Sequence, residues 1–144
     1  MKVYVGSDHA GFELKEKLKV YLSELGHEVE DKGAFLLNPT DDYPDFIKAT
    51  VEAVSADINS KGIVLGGSGQ GEAMVANKQE GIRATEYYGG NLEIVKVSRE
   101  HNDANVLSLG ARFINEDEAK QAVRIFLETP FSNEERHIRR IEEM

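Results

Sequence analysis

Almost from its first residue the chain alternates short apolar runs with stretches of helical periodicity, and that alternation restricts it to an α/β fold. Lys2–Gly6 (KVYVG) is nearly continuous in its apolar character, as a strand covered on both faces must be. Leu14, Leu18, Tyr21, Leu22 and Leu25 then recur at helical spacing, with Gly26 as the stop. His27–Asp31 is a shorter strand, and the loop AFLLNPTDD follows it. Pro44 in DYPD suits a first helical position, and Phe46, Ile47, Val51, Val54 and Ile58 continue that helix. Ile63–Leu65 reads as a strand, Gly71–Lys78 as a helix, Ile82–Tyr88 as a strand, Leu92–Val97 as a helix and Asn105–Leu109 as a strand. Asn115 and Glu118 form an N-x-x-E capping signal, Glu116 and Asp117 suit the positive end of a helix, and Ala119, Ala122, Val123 and Phe126 supply its buried stripe. After Pro130 a last charged helix runs through EERHIRRIEEM. The pattern predicts a three-layer αβα sandwich, a five-stranded parallel Rossmann-like sheet with a C-terminal helix. With no repeat, low-complexity tract or linker in 144 residues, a single domain over 1–144 is expected.

Composition narrows the chemistry. A formal net charge of −9 argues against a general nucleic-acid binder, which carries a basic face, and means that an anionic substrate must be caught by a local cluster of cations. There is no cysteine, so disulfides, thiolate nucleophiles and zinc-thiolate sites are excluded. The histidines His9, His27, His101 and His137 show no local metal-ligand spacing, and no metal is expected, although distant residues can converge in a fold. No long apolar run predicts a membrane span, and MKVYVGSD lacks the features of a signal peptide, so a cytoplasmic location is the expectation.

In a parallel sheet ligands gather at the carboxyl ends of the strands, and two polar loops fall there: Gly6-Ser7-Asp8-His9 and GGSGQGE, residues 66–72. The second fits neither common nucleotide pattern. No lysine closes it as in a P-loop, and Gly67, Gly69 and Gly71 alternate, unlike GxGxxG. What remains is a cluster of backbone N–H groups near a helix start, beside the acid Glu72. A permanent phosphate next to an ionised carboxylate meets a repulsion of about 4 kcal/mol per charge pair at ~4 Å and an effective dielectric of ~20. An oxyanion that appears only while a proton moves onto Glu72 meets no such cost, so a base and an oxyanion hole are compatible neighbours. Glu72 also fits the plain role of an acid in the first turn of a helix.

A permanent anion then needs another seat. Arg136 and Arg140 are four apart, so both guanidinium groups share a helical face and suit a phosphate dianion; the same helix is equally readable as solvated and laced with pairs such as Glu135–Arg139. Ile138 and Ile141 suggest that one of its faces packs. Asp8-His9 serves either to bind sugar hydroxyls and phosphate or, through Asp8, to cap the next helix. His101-Asn102-Asp103 lies between a helix and a strand, as an acid/base group or a helix terminator.

Taken together, GSDHAGFELK, DYPDF, GGSGQGEAMVANK, GIR, REHNDANVLSLGAR and ERHIRR resemble, in this order from Val3 to Ile141, the type B ribose-5-phosphate isomerases of the ribose/galactose sugar-phosphate isomerase family. That resemblance implies an aldose–ketose isomerase of the pentose phosphate pathway, free of metal and cofactor, working through a cis-enediolate. Many members carry a catalytic cysteine where this chain has Gly66; the chain is similar to the branch that uses glutamate, which implies Glu72 as base. It further implies Ser68 at the reacting oxygens, amides around Gly69, Gln70 and Gly71 as the oxyanion hole, Gly67 as a substrate contact, and Tyr43 lining the pocket. His101 is implied in ring opening with Asp8 assisting, and His9, Arg136 and Arg140 at the phosphate. Asn102 and Arg112 match contacts from a second subunit, implying a homodimer or dimer of dimers with shared sites. TEYYGGNLEIVKVS, between Arg83 and His101, is slightly longer than typical, which bears on the choice of sugar. Other aldose phosphates (allose 6-phosphate, galactose 6-phosphate, a tetrose phosphate), an inactive partner subunit and, from another class, a flavodoxin-like nucleotide-binding module are the competing expectations.

Overall fold

The computed structural model describes residues 1–144. Along the chain run β1 (Lys2–Ser7), a 3-10 turn (His9–Gly11), α1 (Phe12–Glu24), β2 (Glu28–Asp31), α2 (Tyr43–Ala56), β3 (Lys61–Gly66), α3 (Gln70–Ala76), β4 (Ala84–Tyr87), α4 (Glu93–Asn102), β5 (Val106–Gly110), α5 (Glu116–Glu128) and α6 (Glu135–Glu142). The strands form one parallel sheet in the order β2-β1-β3-β5-β4. Side-chain alternation sorts the central strands between two cores. Val3, Val5, Ile63, Leu65, Leu107 and Leu109 pack with α1, α4 and α5, whereas Tyr4, Val64 and Val106 pack with α2 and α3. These strands must be apolar on both sides, which is why β1, β3 and β5 stand out in the sequence while the edge strands β2 and β4 are shorter and more polar.

After β1 the chain turns outward to β2 and then crosses back to β3. The loops leaving β1 and β3 therefore diverge to opposite faces and open a crevice at their carboxyl ends, the preferred ligand position in such sheets.

Several boundaries differ from the sequence expectation. α2 ends at Ala56, and Ile58 stands in the following turn, 96% exposed rather than continuing the buried stripe. β4 begins at Ala84, because the Arg83 amide donates to the Asn105 side chain at 2.8 Å instead of to a neighbouring strand. α4 runs on to Asn102, so His101 and Asn102 form its last turn and are not part of a connecting loop. Arg99 accounts for this: its guanidinium holds the Asp103 carboxylate at 2.8 Å and reaches the Ala104 and Thr129 carbonyls, tying down the end of the helix. Asn115 caps α5 by accepting the Glu118 amide at 2.8 Å, but the Glu118 side chain does not return to complete a capping box; it accepts from the Tyr87 hydroxyl at 3.2 Å. Replacing Asn115 by Ala is expected to cost about 1 kcal/mol of stability, read as a lowered urea midpoint with an unchanged slope. An unchanged midpoint would show that solvent satisfies the Glu118 amide equally well.

No helix is long and apolar enough to cross a membrane.

Candidate active site at the carboxyl ends of β1 and β3

A cavity of about 600 Å³ occupies the crevice, with Asp8, His9, Tyr43, Gly67, Ser68, Gln70, Gly71, Glu72 and Arg112 among its walls. Asp8 follows β1 and caps the 3-10 turn that leads into α1: its carboxylate accepts the amides of Ala10 at 3.0 Å and Gly11 at 3.3 Å, so a capping role is realised at the edge of the cavity. His9 meets Asp41 at 2.7 Å, and the Asp41 carboxylate also accepts the His9 amide at 3.0 Å. Asp8, His9 and Asp41 each bring one possible ligand atom within 4.8 Å of the others. The His9–Asp41 hydrogen bond and the Asp8 cap account for that proximity without a cation.

The glycine loop is fixed to the sheet from both sides. Gly69 adopts φ +80°, is buried, and its carbonyl accepts the Ser108 hydroxyl at 2.6 Å. The Gly69 carbonyl is thus turned to β5, while its amide acts on the Glu72 carboxylate on the cavity side. The Ser68 hydroxyl accepts the Gln70 amide at 3.2 Å, holding the first turn of α3 open toward the cavity. Glu72, one turn into α3, is only 4% exposed, and its carboxylate lies directly over Gly66, filling the place where a Cβ at that position would stand. Burial, reinforced by the charge of Asp8, pushes the Glu72 carboxyl above its ordinary value, against the opposing pull of the Glu72 and Gly69 amides. On β4, Glu86 stands opposite Ser108; its Oε1 is buried without a hydrogen-bond partner, and burial together with the charge of Glu72 raises its carboxyl as well. Acids so arranged resist simultaneous ionisation, which raises the proton affinity of each.

Two further side chains complete the wall. Tyr43, the first residue of α2, lies against Gly71 so closely that a Cβ there would meet its hydroxyl at 2.5 Å. Arg112 follows β5, where the Ala111 and Arg112 amides donate to the Gly66 and Gly67 carbonyls at 2.8 and 3.0 Å. This turn seats the Arg112 guanidinium beside Gly67 of the same chain, which corrects the expectation that Arg112 reaches the site from a second subunit.

The remaining predicted residues lie elsewhere. α4 starts beyond the carboxyl end of β4 and returns to the amino end of β5, so its last turn, with His101 and Asn102, sits at the amino-terminal end of the strands, opposite the cavity. The 10 residues of α4 alone span about 15 Å. Asn102 lines a separate cavity of about 560 Å³ with Arg83 and Ile141. His101 stacks on His137 of α6, ring centres 4.2 Å apart. His137 is 4% exposed with Nε2 unpartnered, and burial, then the neighbouring His101 and Arg136, lower its proton affinity. The packed face of α6 is therefore His137 and Ile141, four apart, and Ile138 is exposed. Arg136 pairs with Glu134 at 3.0 Å and Arg139 with Glu135 at 3.2 Å, both on the solvated side, while Arg140 is exposed. One chain thus holds the glycine loop, Glu72, Asp8, His9, Tyr43 and Arg112 together, and holds His101, Asn102, Arg136 and Arg140 apart from them.

His137, Asp41 and Glu86 were not singled out in the sequence. Their roles depend on partners at long sequence separation, and the only signal was the spacing that puts His137 four before Ile141.

Residues 3–144 match the family model described as Ribose/Galactose Isomerase. Ribose-5-phosphate isomerase B of Mycolicibacterium paratuberculosis is 45% identical over 142 residues, 99% of this chain and 88% of that protein. The Escherichia coli protein of the same name is 38% identical over 144 residues, covering 98% and 92%. Among solved structures, ribose-5-phosphate isomerase B from Mycoplasma genitalium with bound ribulose-5-phosphate superposes with a TM-score of 0.93 at 33% identity, covering 99% of this chain and 92% of that one. The Clostridium thermocellum enzyme gives a TM-score of 0.93 at 40% identity, covering 99% and 94%. A match over essentially the whole chain, on the same fold and with the glycine loop at the crevice, places this protein in the ribose/galactose isomerase family.

Proposed function

We propose that this protein interconverts D-ribose 5-phosphate and D-ribulose 5-phosphate as one catalytic domain. The observation that carries the reading is the Glu72 carboxylate, nearly excluded from water, raised in proton affinity and set beside the loop amides at the mouth of a sugar-sized cavity. In the aldose-to-ketose direction Glu72 takes the C2 proton, the electrons of that bond form the C1–C2 double bond, and the C1 oxygen takes up the charge. The Gly71 amide and the Ser68 hydroxyl, itself held by the Gln70 amide, face that oxygen as its charge grows. Glu72 then returns its proton to C1 while the proton of the C2 hydroxyl passes to the C1 oxygen and C2 becomes the carbonyl. No electron leaves the substrate, and a positioned base accounts for ~10²–10⁴-fold of the acceleration.

The His9 imidazole and the Arg112 guanidinium line the cavity, and both meet the phosphate at the far end of the sugar from Glu72. His101, Asn102, Arg136 and Arg140 join the site from a second copy of the chain, because their own chain places them near the amino ends of the strands, away from the cavity. The support is the incompleteness of the single-chain cavity, which has no group placed to open the sugar ring other than Asp8, already engaged as a cap.

Steady-state kinetics on both pentose phosphates, with allose 6-phosphate, galactose 6-phosphate and a tetrose phosphate in parallel, tests the assignment. Absence of turnover on either pentose phosphate sinks it, and a preferred hexose or tetrose phosphate redirects it. Sharing between copies has its own test. Glu72→Gln and His101→Ala proteins, each deficient alone, are expected to recover roughly a quarter of wild-type sites when unfolded and refolded together, if the active unit is a two-fold pair. Mixtures that stay at the level of the separate variants would place His101 outside the site.

A further inference from the structure

The geometry points to Asp41 as a positioning residue that fixes His9 as an anion contact of the cavity. This rests on the reading that His9 faces the substrate phosphate. Asp41 comes from the loop between β2 and α2, 32 residues from His9, and its Oδ1 accepts both the His9 amide at 3.0 Å and the Nδ1 proton at 2.7 Å. One carboxylate oxygen thus holds the backbone and the ring of the same residue. With the proton on Nδ1 committed to Asp41, Nε2 is the ring's remaining polar atom, and His9 is part of the cavity wall.

Three observations separate this from an incidental contact. The Asp41 side chain is only 7% exposed, against 29% for His9, so a charged group has been taken out of water for this pair. Its side chain makes no hydrogen bond other than the two from His9, and Oδ2 is buried without a partner. The loop's own turn is made by Asn38, whose side chain accepts the Thr40 amide at 3.1 Å and the Thr40 hydroxyl at 2.9 Å; Asp41 is not needed for it. Nor does Asp8 substitute, since its carboxylate is committed to the Ala10 and Gly11 amides. A buried carboxylate whose only client is one imidazole sets the direction of that imidazole, as outer partners do for ligating histidines at metal sites.

The test is a double-mutant cycle in the full chain: His9→Ala, Asp41→Ala and the pair, with KM for D-ribose 5-phosphate and the inhibition constant of inorganic phosphate as readouts and melting temperature as a control. Both single variants are expected to raise KM and the phosphate inhibition constant about tenfold, more than they lower kcat, and the pair to be no worse than His9→Ala alone. Asp41→Asn, whose amide oxygen can still accept both N–H groups, is expected to recover most of the phosphate affinity. If His9→Ala leaves both constants unchanged, the phosphate reading of His9 fails and the role of Asp41 with it. If His9→Ala raises them but Asp41→Ala does not, or the two effects add, the phosphate reading stands and the inference about Asp41 is overturned.

Discussion

Glu72→Gln is expected to lower kcat by about 10²–10⁴ while leaving substrate affinity largely intact. The amide keeps the shape of the side chain over Gly66 but cannot accept the proton next to the carbonyl, so the interaction lost belongs to the transition state and not to the bound substrate. The same substitution has a second signature that owes nothing to catalysis. Burial, seconded by Asp8, raises the Glu72 carboxyl above its unfolded value of 4.5. The folded state therefore favours the protonated form. The stability linked to it is fully present below about pH 4.5 and is lost as pH rises through the folded pKa. Above that point the native chain carries a buried carboxylate that the Gln variant does not. Glu72→Gln should accordingly melt higher than the wild type at pH 8, with the difference closing toward pH 4. Near-native kcat in the Gln variant would mean that another group is the base. An equal melting difference at both pH values would mean that Glu72 is not held protonated by the fold.

That two-part expectation was only half legible in the sequence. Glycines followed by a carboxylate, after an apolar strand, identified the loop and the sign of charge it tolerates. The topology argument placed Asp8 beside it, because β1 and β3 are apolar on both faces and so had to be central. What a linear pattern cannot give is the direction in which a side chain leaves its element. Whether Glu72 points to solvent, as a first-turn acid commonly does, or folds back over Gly66 depends on α3 lying flat on β3. The closeness of Arg112 to Gly67 depends on backbone bonds between two turns 45 residues apart (67 to 112), and no local motif encodes them. The end of α4 lies beyond the sequence expectation for a related reason. Asn102 and Asp103 are residues that favour turns, and only Arg99, reaching to carbonyls on another segment, carries the helix through to Asn102. Conversely, the separation of His101 from Glu72 within one chain follows from strand order alone.

The position most sensitive to a single added carbon is expected to be Gly66. A Cβ there falls well inside contact distance of the Glu72 carboxylate, and the strand end has little room to retreat, since the Gly66 carbonyl is bonded to the Ala111 amide at 2.8 Å. Gly66→Ala must therefore either expel the carboxylate from its place or strain β3. A displacement of about 1 Å at the base is enough to cost ~10²-fold, and overpacking at such a site costs about 1–3 kcal/mol of stability. The expected result is a fall in kcat/KM of ~10² or more, with a lowered melting temperature. Gly71→Ala gives the contrast, because its added carbon meets the Tyr43 ring, a side chain that can swing away, and not the base. A cysteine at this position and a glutamate at 72 cannot both keep their places, because both side chains claim the same volume. Gly66→Cys should be as defective as Gly66→Ala, whereas Gly66→Cys combined with Glu72→Ala frees the space, restores the melting temperature lost by the single change, and leaves a thiol where the carboxylate stood. Turnover in that double variant, if it comes from the thiol, is abolished by an alkylating reagent that leaves the cysteine-free wild type untouched. Near-native kcat/KM in Gly66→Ala would show that Glu72 does its work from somewhere other than the space above Gly66, and the assignment of base and oxyanion loop as one unit would fail with it.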